Sequence, residues 1–179
     1  VTLPICRSIH AALRCASGRC VTSRRARLAA STRPSASASQ TVADIGRVHA
    51  YERYSATDKT FRELYVTGDL LAGWHVRRVA RTANAAHNQA TTTWELRGLR
   101  AVADAQASEL AFDAVIDGIC AAWRDDPTLD GAVLYPREGD AVVPELVDAG
   151  PVLFAGVLCH SARLRLITRH VCPAGRPWD

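Results

Sequence analysis

The chain is 179 residues long, with 48% hydrophobic and 22% charged residues, which is the composition of an ordinary globular domain. Its longest apolar stretch, 151–159, is interrupted and well short of the roughly 18 residues that would span a bilayer, so we expect no membrane association. The net charge of +4 arises in residues 1–40, which hold seven arginines and no acid. Residues 41–179 hold the other 15 of the 22 basic residues and all 18 acidic ones, so this part of the chain is slightly acidic. This charge balance gives no reason to expect a specific nucleic-acid partner.

Residues 1–40 differ from the rest of the chain in composition. Arg, Ser, Ala and Cys dominate, and residues 31–39 (STRPSASAS) form a low-complexity sequence that cannot build a core. We predict a disordered basic N-terminal tail; an organellar transit peptide and translated upstream sequence that is not part of the functional protein are the alternatives. The folded domain is predicted over 41–172 and a flexible C-terminus over 173–179.

The first half of the predicted domain contains three strands and a short helix. Apolar residues recur among polar ones over 45–54, which predicts a strand, and Thr57 offers an N-cap for a helix that ends near Gly68. Alternation over 74–79 and a run rich in Thr and Trp over 91–99, separated by a polar turn, predict an antiparallel hairpin.

The clearest predicted element is a helix from Asp104, as its N-cap, to about Trp123. Its apolar residues fall at i, i+3, i+4, i+7 and i+11, so the helix should pack on a sheet by one face. The Asp126-Pro127 pair should end it. The residues of this stripe are Phe112, Val115, Ile116, Ile119 and Trp123.

Two strands complete the domain. One is predicted over 142–147, where Pro144 indicates an edge position, and a long alternating strand over 157–170 follows it. The order β-α-β-β-α-β-β predicts an α+β fold, a largely antiparallel or mixed sheet with two helices packed on one face. Three tryptophans are expected in its core and a fourth, in the C-terminal segment, is expected to be exposed: Trp74, Trp94 and Trp123, then Trp178.

The cysteines and histidines do not form a recognisable metal or catalytic site. The nearest cluster joins Cys159-His160 to His170 and Cys172, but a continuous strand would hold these pairs roughly 30 Å apart at about 3.3 Å per residue. Neighbours on a strand also point to opposite faces, so Cys159 and His160 cannot form a catalytic pair. Odd numbers of cysteines on each side of residue 40 favour reduced thiols.

Sequence signatures of catalysis are missing as well. The chain contains no GxGxxG, Walker A, GxSxG, HExxH or EF-hand motif. The carboxylates of Asp113 and Asp117 fall on the polar side of the predicted helix, where solvated charges are far commoner than an acid–base pair. We therefore expect no enzyme, no catalytic residue, no cofactor and no bound metal.

Five charged residues are candidates for an interface between copies of the chain. Arg77 on the hairpin and Arg163 and Arg165 on the last strand are predicted on an exposed sheet face of an acidic domain. Asp113 and Asp117 on the helix of a neighbouring copy would supply matching carboxylates. The alternative for each residue is a solvated position.

Four segments resemble a family of small phage and prophage proteins encoded among head–tail and tail genes. They are IGRVHAYERY (45–54), GWHVRRVART (73–82), the stretch 95–132 and FAGVLCHSARLRL (154–166). The family has no catalytic residues to transfer. The basic tail, TLDG at 128–131 and Ser161 depart from its usual pattern. The positions that carry the pattern are Gly73-Trp74, Arg97-Gly98, Ala107-Ser108-Glu109 and Gly156-Val157-Leu158-Cys159-His160.

The resemblance implies a tail-terminator, tail-completion or head–tail joining protein. Such a protein is a small α/β subunit that forms a homo-oligomeric ring, of six copies, on the phage tail tube, assembled in the bacterial cytoplasm and retained in the virion. Its expected partners are tail-tube and head-completion proteins. The alternative is a small cytosolic binding or regulatory module without catalytic activity, whose Arg-rich tail would attract nucleic acid nonspecifically.

Overall fold

A computed structural model describes residues 45–129 and 131–172. The predicted tail over 1–40 and the predicted C-terminal segment over 173–179, with Trp178, lie outside the described residues. Within them the chain forms an α+β domain with two α-helices and a mixed sheet, which confirms the predicted class. Neither helix is long and apolar enough to cross a membrane.

The elements are β1 (Arg47–His49), α1 (Asp58–Glu63), β2 (Val66–Thr67), β3 (Leu70–Asn84), β4 (Gln89–Ala101), α2 (Ser108–Asp125), β5 (Glu145–Phe154) and β6 (Val157–Val171). The strands follow the order β1-β3-β4-β6-β5 across the sheet, and β2 pairs with β3 beside this path. β1 runs parallel to β3, whereas every other pairing among the described strands is antiparallel. The predicted β3–β4 hairpin and the long last strand are confirmed.

Two predicted strands have different bounds in the structure. The strand predicted over 45–54 is only three residues long, because the chain leaves β3 after His49. The strand predicted over 142–147 begins after Pro144 and continues as β5, which lies at the sheet edge as predicted. Pro151 is tolerated in β5 because an edge strand is paired on one side only, and a missing N–H on its other side breaks no hydrogen bond of the sheet.

The long helix begins later than predicted, and its N-cap prediction is wrong. Asp104 opens a short 3-10 turn, and Ala107, with φ 49°, separates this turn from α2. No side chain caps α2; the Oγ of Ser108 instead accepts a hydrogen bond from the N–H of Ala103, before the 3-10 turn, at 2.8 Å. The helix ends at Asp125, with Asp126 as C-cap, next to the predicted Asp-Pro stop.

α2 covers one face of the sheet, called here the covered face. Its predicted apolar stripe is buried, and it packs on alternate residues of β3, β4 and β6. The ring of Phe112 stacks on Trp74 with 5.8 Å between centroids. Gly98 is required beneath this pair, because a Cβ there would lie 2.5 Å from the Trp74 ring. The three predicted core tryptophans are 1–3% exposed.

The short helix does not share the covered face, in contrast to the prediction that both helices pack on the same side. Phe61 of α1 contacts the rings of Tyr65 and Phe154, with centroid distances of 5.9 and 4.8 Å. Tyr65 in turn packs with Leu71 and the interleaved residues of β4 and β6 that point away from α2. The opposite face therefore carries a second, smaller apolar cluster at one end, and α1 covers that cluster.

Candidate functional site

The face opposite α2, called here the uncovered face, carries a row of alternating charges across four strands. The register places Arg77 opposite Glu95, Glu95 opposite Arg165, and Arg165 opposite Glu145. Arg77 pairs with Glu95 at 2.8 Å and Arg165 with Glu145 at 2.6 Å. Glu52, from the segment after β1, approaches Arg77 to 3.4 Å. We call this row the charge ladder.

The adjacent row is less evenly balanced. Arg97 lies between His75 on β3 and Arg163 on β6. Arg163 pairs with Asp148 at 3.4 Å, whereas Arg97 forms no ion pair with the residues that the structure describes. Burial lowers the pKa of His75, so this histidine is neutral near pH 7 and adds no further positive charge to the row.

The structure places the five predicted interface residues on two different sides of the subunit. Arg77, Arg163 and Arg165 lie on an exposed sheet face, as predicted, but each pairs with a carboxylate of its own chain. Asp113 and Asp117 are exposed on the outer side of α2, across the sheet from these arginines. A contact between these arginines and the aspartates of a neighbouring copy stays a prediction. The charge of each arginine is already balanced by a carboxylate of its own subunit.

The sequence reasoning missed the acidic partners of these arginines. Glu95 was detectable, because it alternates with the buried residues of β4 in the same phase as Arg97. Glu145 and Asp148 were harder to place, because the ladder between β5 and β6 shifts register between Leu146 and Asp148. This bulge puts two acids three residues apart on the same face, which a strict period of two does not predict.

The segment 133–142 crosses the part of β6 that extends beyond β5. Arg169 binds it by an ion pair to Asp140 at 2.6 Å and a hydrogen bond to the carbonyl of Tyr135 at 3.3 Å. The backbone N–H of Arg137 and the nearby Arg169 guanidinium lower the pKa of Asp140. A cavity of about 260 Å³ lies under this segment, beside Trp123.

Two of the sequence patterns that carry the family resemblance meet in space. The Oγ of Ser108 lies 2.9 Å from Nε2 of His160, whose ring stacks on Phe112. The Ser108 side chain is buried and already accepts a hydrogen bond from Ala103. The pair therefore holds the start of α2 on β6, and the hydroxyl is not presented as a nucleophile.

The Cys and His pairs considered as a metal site lie at opposite ends of a continuous β6. Cys159 belongs to the cluster under α1, where burial raises the pKa of its thiol, while His160 faces α2. Cys172 follows the far end of the strand and donates its N–H to the carbonyl of Asn88 at 2.9 Å. Among the described residues, no cluster of three or more His, Cys, Asp or Glu could hold a metal ion.

Exposed apolar side chains gather at one corner of the sheet. Leu153 of β5 and Leu158 of β6 face each other in register and are 71% and 52% exposed. Val102 adjoins them, because its N–H donates to the carbonyl of Leu158 at 3.0 Å. We call Val102, Leu153 and Leu158 the leucine patch.

An apolar groove lies at the other edge of the sheet. It has a volume of about 570 Å³ and runs between the segment after β1 and the edge of β3. Its lining residues are Ala50, Tyr51, Glu52, Val76, Arg77, Arg78 and Trp94, and we call it the aromatic groove.

Comparisons with models of protein families, with characterised proteins and with solved structures found no match for this chain.

Proposed function

We propose that the domain is a structural subunit that assembles with copies of itself into a closed ring and caps a phage tail tube, as a tail terminator or head–tail joining protein. The observation that carries the proposal is the apolar edge strand β5. Leu146, Val147 and Leu153 on this strand are about half exposed or more. Large apolar side chains along an open sheet edge mark a surface that another protein covers.

The sheet has two different free edges, as a ring requires. β5 lies at one edge. At the other, β2 pairs with β3 at Leu70 and Leu71 and β1 from Gly73 to His75, so among the described residues β3 beyond His75 is paired only with β4. A closed ring needs a heterologous interface, in which each copy uses two unlike surfaces. Register shifts at Val79 and Val147 limit continuous strand pairing, so side chains supply most of such a contact.

The assignment to a phage tail is supported by the sequence resemblance. Its segments 73–82 and 154–166 fall on β3 and on the β5–β6 hairpin, the two parts of the sheet that reach the free edges. On this proposal the ring has six copies, the partners are tail-tube and head-completion proteins, and the location is the virion.

Mass photometry and negative-stain microscopy of the full chain test the proposal. We expect a single closed oligomer with a central opening. High salt should weaken it without abolishing it, because exposed ion pairs contribute only about 0–1 kcal/mol each and apolar contacts supply the rest. A chain that stays monomeric at high concentration, even with tail-tube protein present, contradicts the proposal.

The cavity beside Trp123 favours a second candidate function, a small binding module. Its volume of about 260 Å³ lies just below the range of small-ligand sites, and Arg169 lines it together with apolar residues. This candidate predicts a monomer whose melting temperature rises with a small ligand. A closed ring in the experiment above leaves the structural role ahead.

A further inference from the structure

We infer that the leucine patch of one copy inserts into the aromatic groove of the next copy. This inference rests on the proposed ring and names the two surfaces that meet. They lie at opposite edges of the same sheet. The patch residues are exposed, and the groove is lined by apolar side chains of which Tyr51 is exposed.

The leucine patch projects from the closed end of the β5–β6 hairpin. Directly opposite residues of antiparallel strands have Cβ atoms about 4.5–5.5 Å apart, so Leu153 and Leu158 present adjoining side chains. Val102, 36% exposed, extends them toward the start of α2. The result is a raised aliphatic surface.

The aromatic groove exists because β1 is short. β1 pairs with β3 only as far as His49, and the chain then diverges from β3. The space between them is floored by Val76 and Trp94 and bordered by Tyr51, which is 61% exposed. Val76 and Trp94 are themselves buried, so the exposed ring of Tyr51 is the surface suited to receive aliphatic side chains from outside.

The charges around the two surfaces are complementary. Val102 is followed by the exposed acids Asp104 and Glu109 at the start of α2. The groove is bordered by Glu52, Arg77 and Arg78. Arg77 is paired with Glu52 and Glu95 of its own chain, whereas Arg78 forms no ion pair with the residues that the structure describes. A second copy would bring its acids toward Arg78, which sets the orientation of the contact more than its affinity.

This complementarity selects a second copy of the chain as the occupant of the groove. Because the patch and the groove are unlike and lie at opposite edges, each copy offers one of each, and copies add head to tail. Such addition closes into a ring when the rotation between copies closes. A symmetric contact between two leucine patches would instead stop at a dimer.

Directed disulfide formation tests the inference in the full chain with Cys6, Cys15 and Cys20 changed to Ser. One sample carries Leu153→Cys and a second carries Tyr51→Cys, and the two are mixed and oxidised. We expect a mixed disulfide-linked dimer. The control replaces the second sample with Tyr135→Cys, which is 68% exposed but outside the groove, and should give no specific link.

A second pair of variants measures the contact without crosslinking. Leu153→Glu should weaken self-association by about tenfold or more, because it removes a buried leucine from the interface. Ile167→Glu, on the neighbouring strand β6, 52% exposed and outside both surfaces, is the control. Circular dichroism and the melting temperature of the monomer should stay unchanged, since Leu153 is exposed in the subunit.

The outcomes separate this inference from the proposed ring. If the wild-type chain forms a ring but Leu153→Cys links only to itself, to a tail-tube protein or to nothing, the inference is wrong and the ring stands. A ring that tolerates Leu153→Glu as well as Ile167→Glu also overturns it. If the wild-type chain is monomeric, the proposed function itself fails.

Discussion

The two faces of the sheet are built from different residues on the same strands. Along β6, Leu164 and Leu166 are buried under α2, whereas Arg163 and Arg165 beside them are exposed on the uncovered face. Burying a leucine contributes about 1.5–3 kcal/mol, whereas an exposed ion pair contributes about 0–1 kcal/mol. The covered face therefore determines stability, and the uncovered face is free to carry charges that set register and solubility.

The largest expected effect comes from deleting apolar volume on the covered face. Leu164→Ala should lower the free energy of unfolding by about 2–5 kcal/mol, because Leu164 is fully buried and its loss leaves a cavity under α2. Ile167→Ala, three residues along β6 but 52% exposed on the other face, should cost under about 1 kcal/mol. Urea unfolding measures both; equal losses would contradict the contrast between the faces.

A smaller effect is expected from a polar pair on the covered face. The indole N–H of Trp94 donates to Thr168 Oγ1 at 2.8 Å, and both residues are buried. Thr168→Val should lower the free energy of unfolding by about 1–3 kcal/mol, because the indole N–H loses its acceptor.

Thr168→Ser is the matched control for that pair. It keeps the hydroxyl and should recover most of the loss in the same urea titration. If the Val and Ser variants were equally stable, the hydrogen bond would contribute nothing to the covered face.

The covered face was largely predictable from the sequence, because its signal is periodic. The α2 stripe recurs every 3.6 residues and β6 alternates with period two, so the buried residues of both could be identified. The start of α2 could not: Asp104 is a favourable N-cap by residue type, but the chain forms a 3-10 turn and a left-handed Ala107 first. Capping geometry depends on contacts such as Ser108 with His160, which are distant in sequence.

The uncovered face was only partly predictable. Exposed arginines were expected from alternation, yet their partners depend on strand register, and Arg165 meets Glu95 only through a pairing 70 residues apart in the chain. The position of α1 depended on recognising that Leu71 and Cys159 form a second apolar cluster. The arginine partners and the position of α1 depend on which face of the sheet each strand residue occupies and on the bulge in β5. Neither feature can be identified from a local sequence pattern.

A pH effect links the uncovered face to the cluster under α1. His75 is 4% exposed and its Nδ1 lies 3.3 Å from the hydroxyl of Tyr65. Burial lowers its pKa below the usual 6.5, although Glu52 acts in the opposite direction. Below pH 6.5 the unfolded chain therefore binds a proton at His75 more readily than the folded chain does. The contribution of the neutral, buried His75 to stability is present above pH 6.5 and declines as pH falls below it.

Urea titrations above and below pH 6.5 check this expectation. The wild type should lose stability at the lower pH, and His75→Gln, which keeps a hydrogen-bonding side chain but does not titrate, should lose less. A steeper loss in the variant would mean that His75 is charged in the folded state.

The smallest expected effect concerns the charge ladder. Arg165 and Glu145 are each more than half exposed, so their 2.6 Å ion pair is well solvated. A double-mutant cycle with Arg165→Ala and Glu145→Ala should give a coupling energy of about 0–1 kcal/mol that shrinks as salt is added.

Reversing only one charge, as in Arg165→Glu, places three carboxylates in a row with Glu95 and Glu145, so it should cost more than Arg165→Ala. Adding Glu145→Arg should restore part of the loss. A coupling energy of several kcal/mol, insensitive to salt, would mean that the uncovered face is buried in the protein as it exists in solution, and it would return the ladder to the centre of the interface.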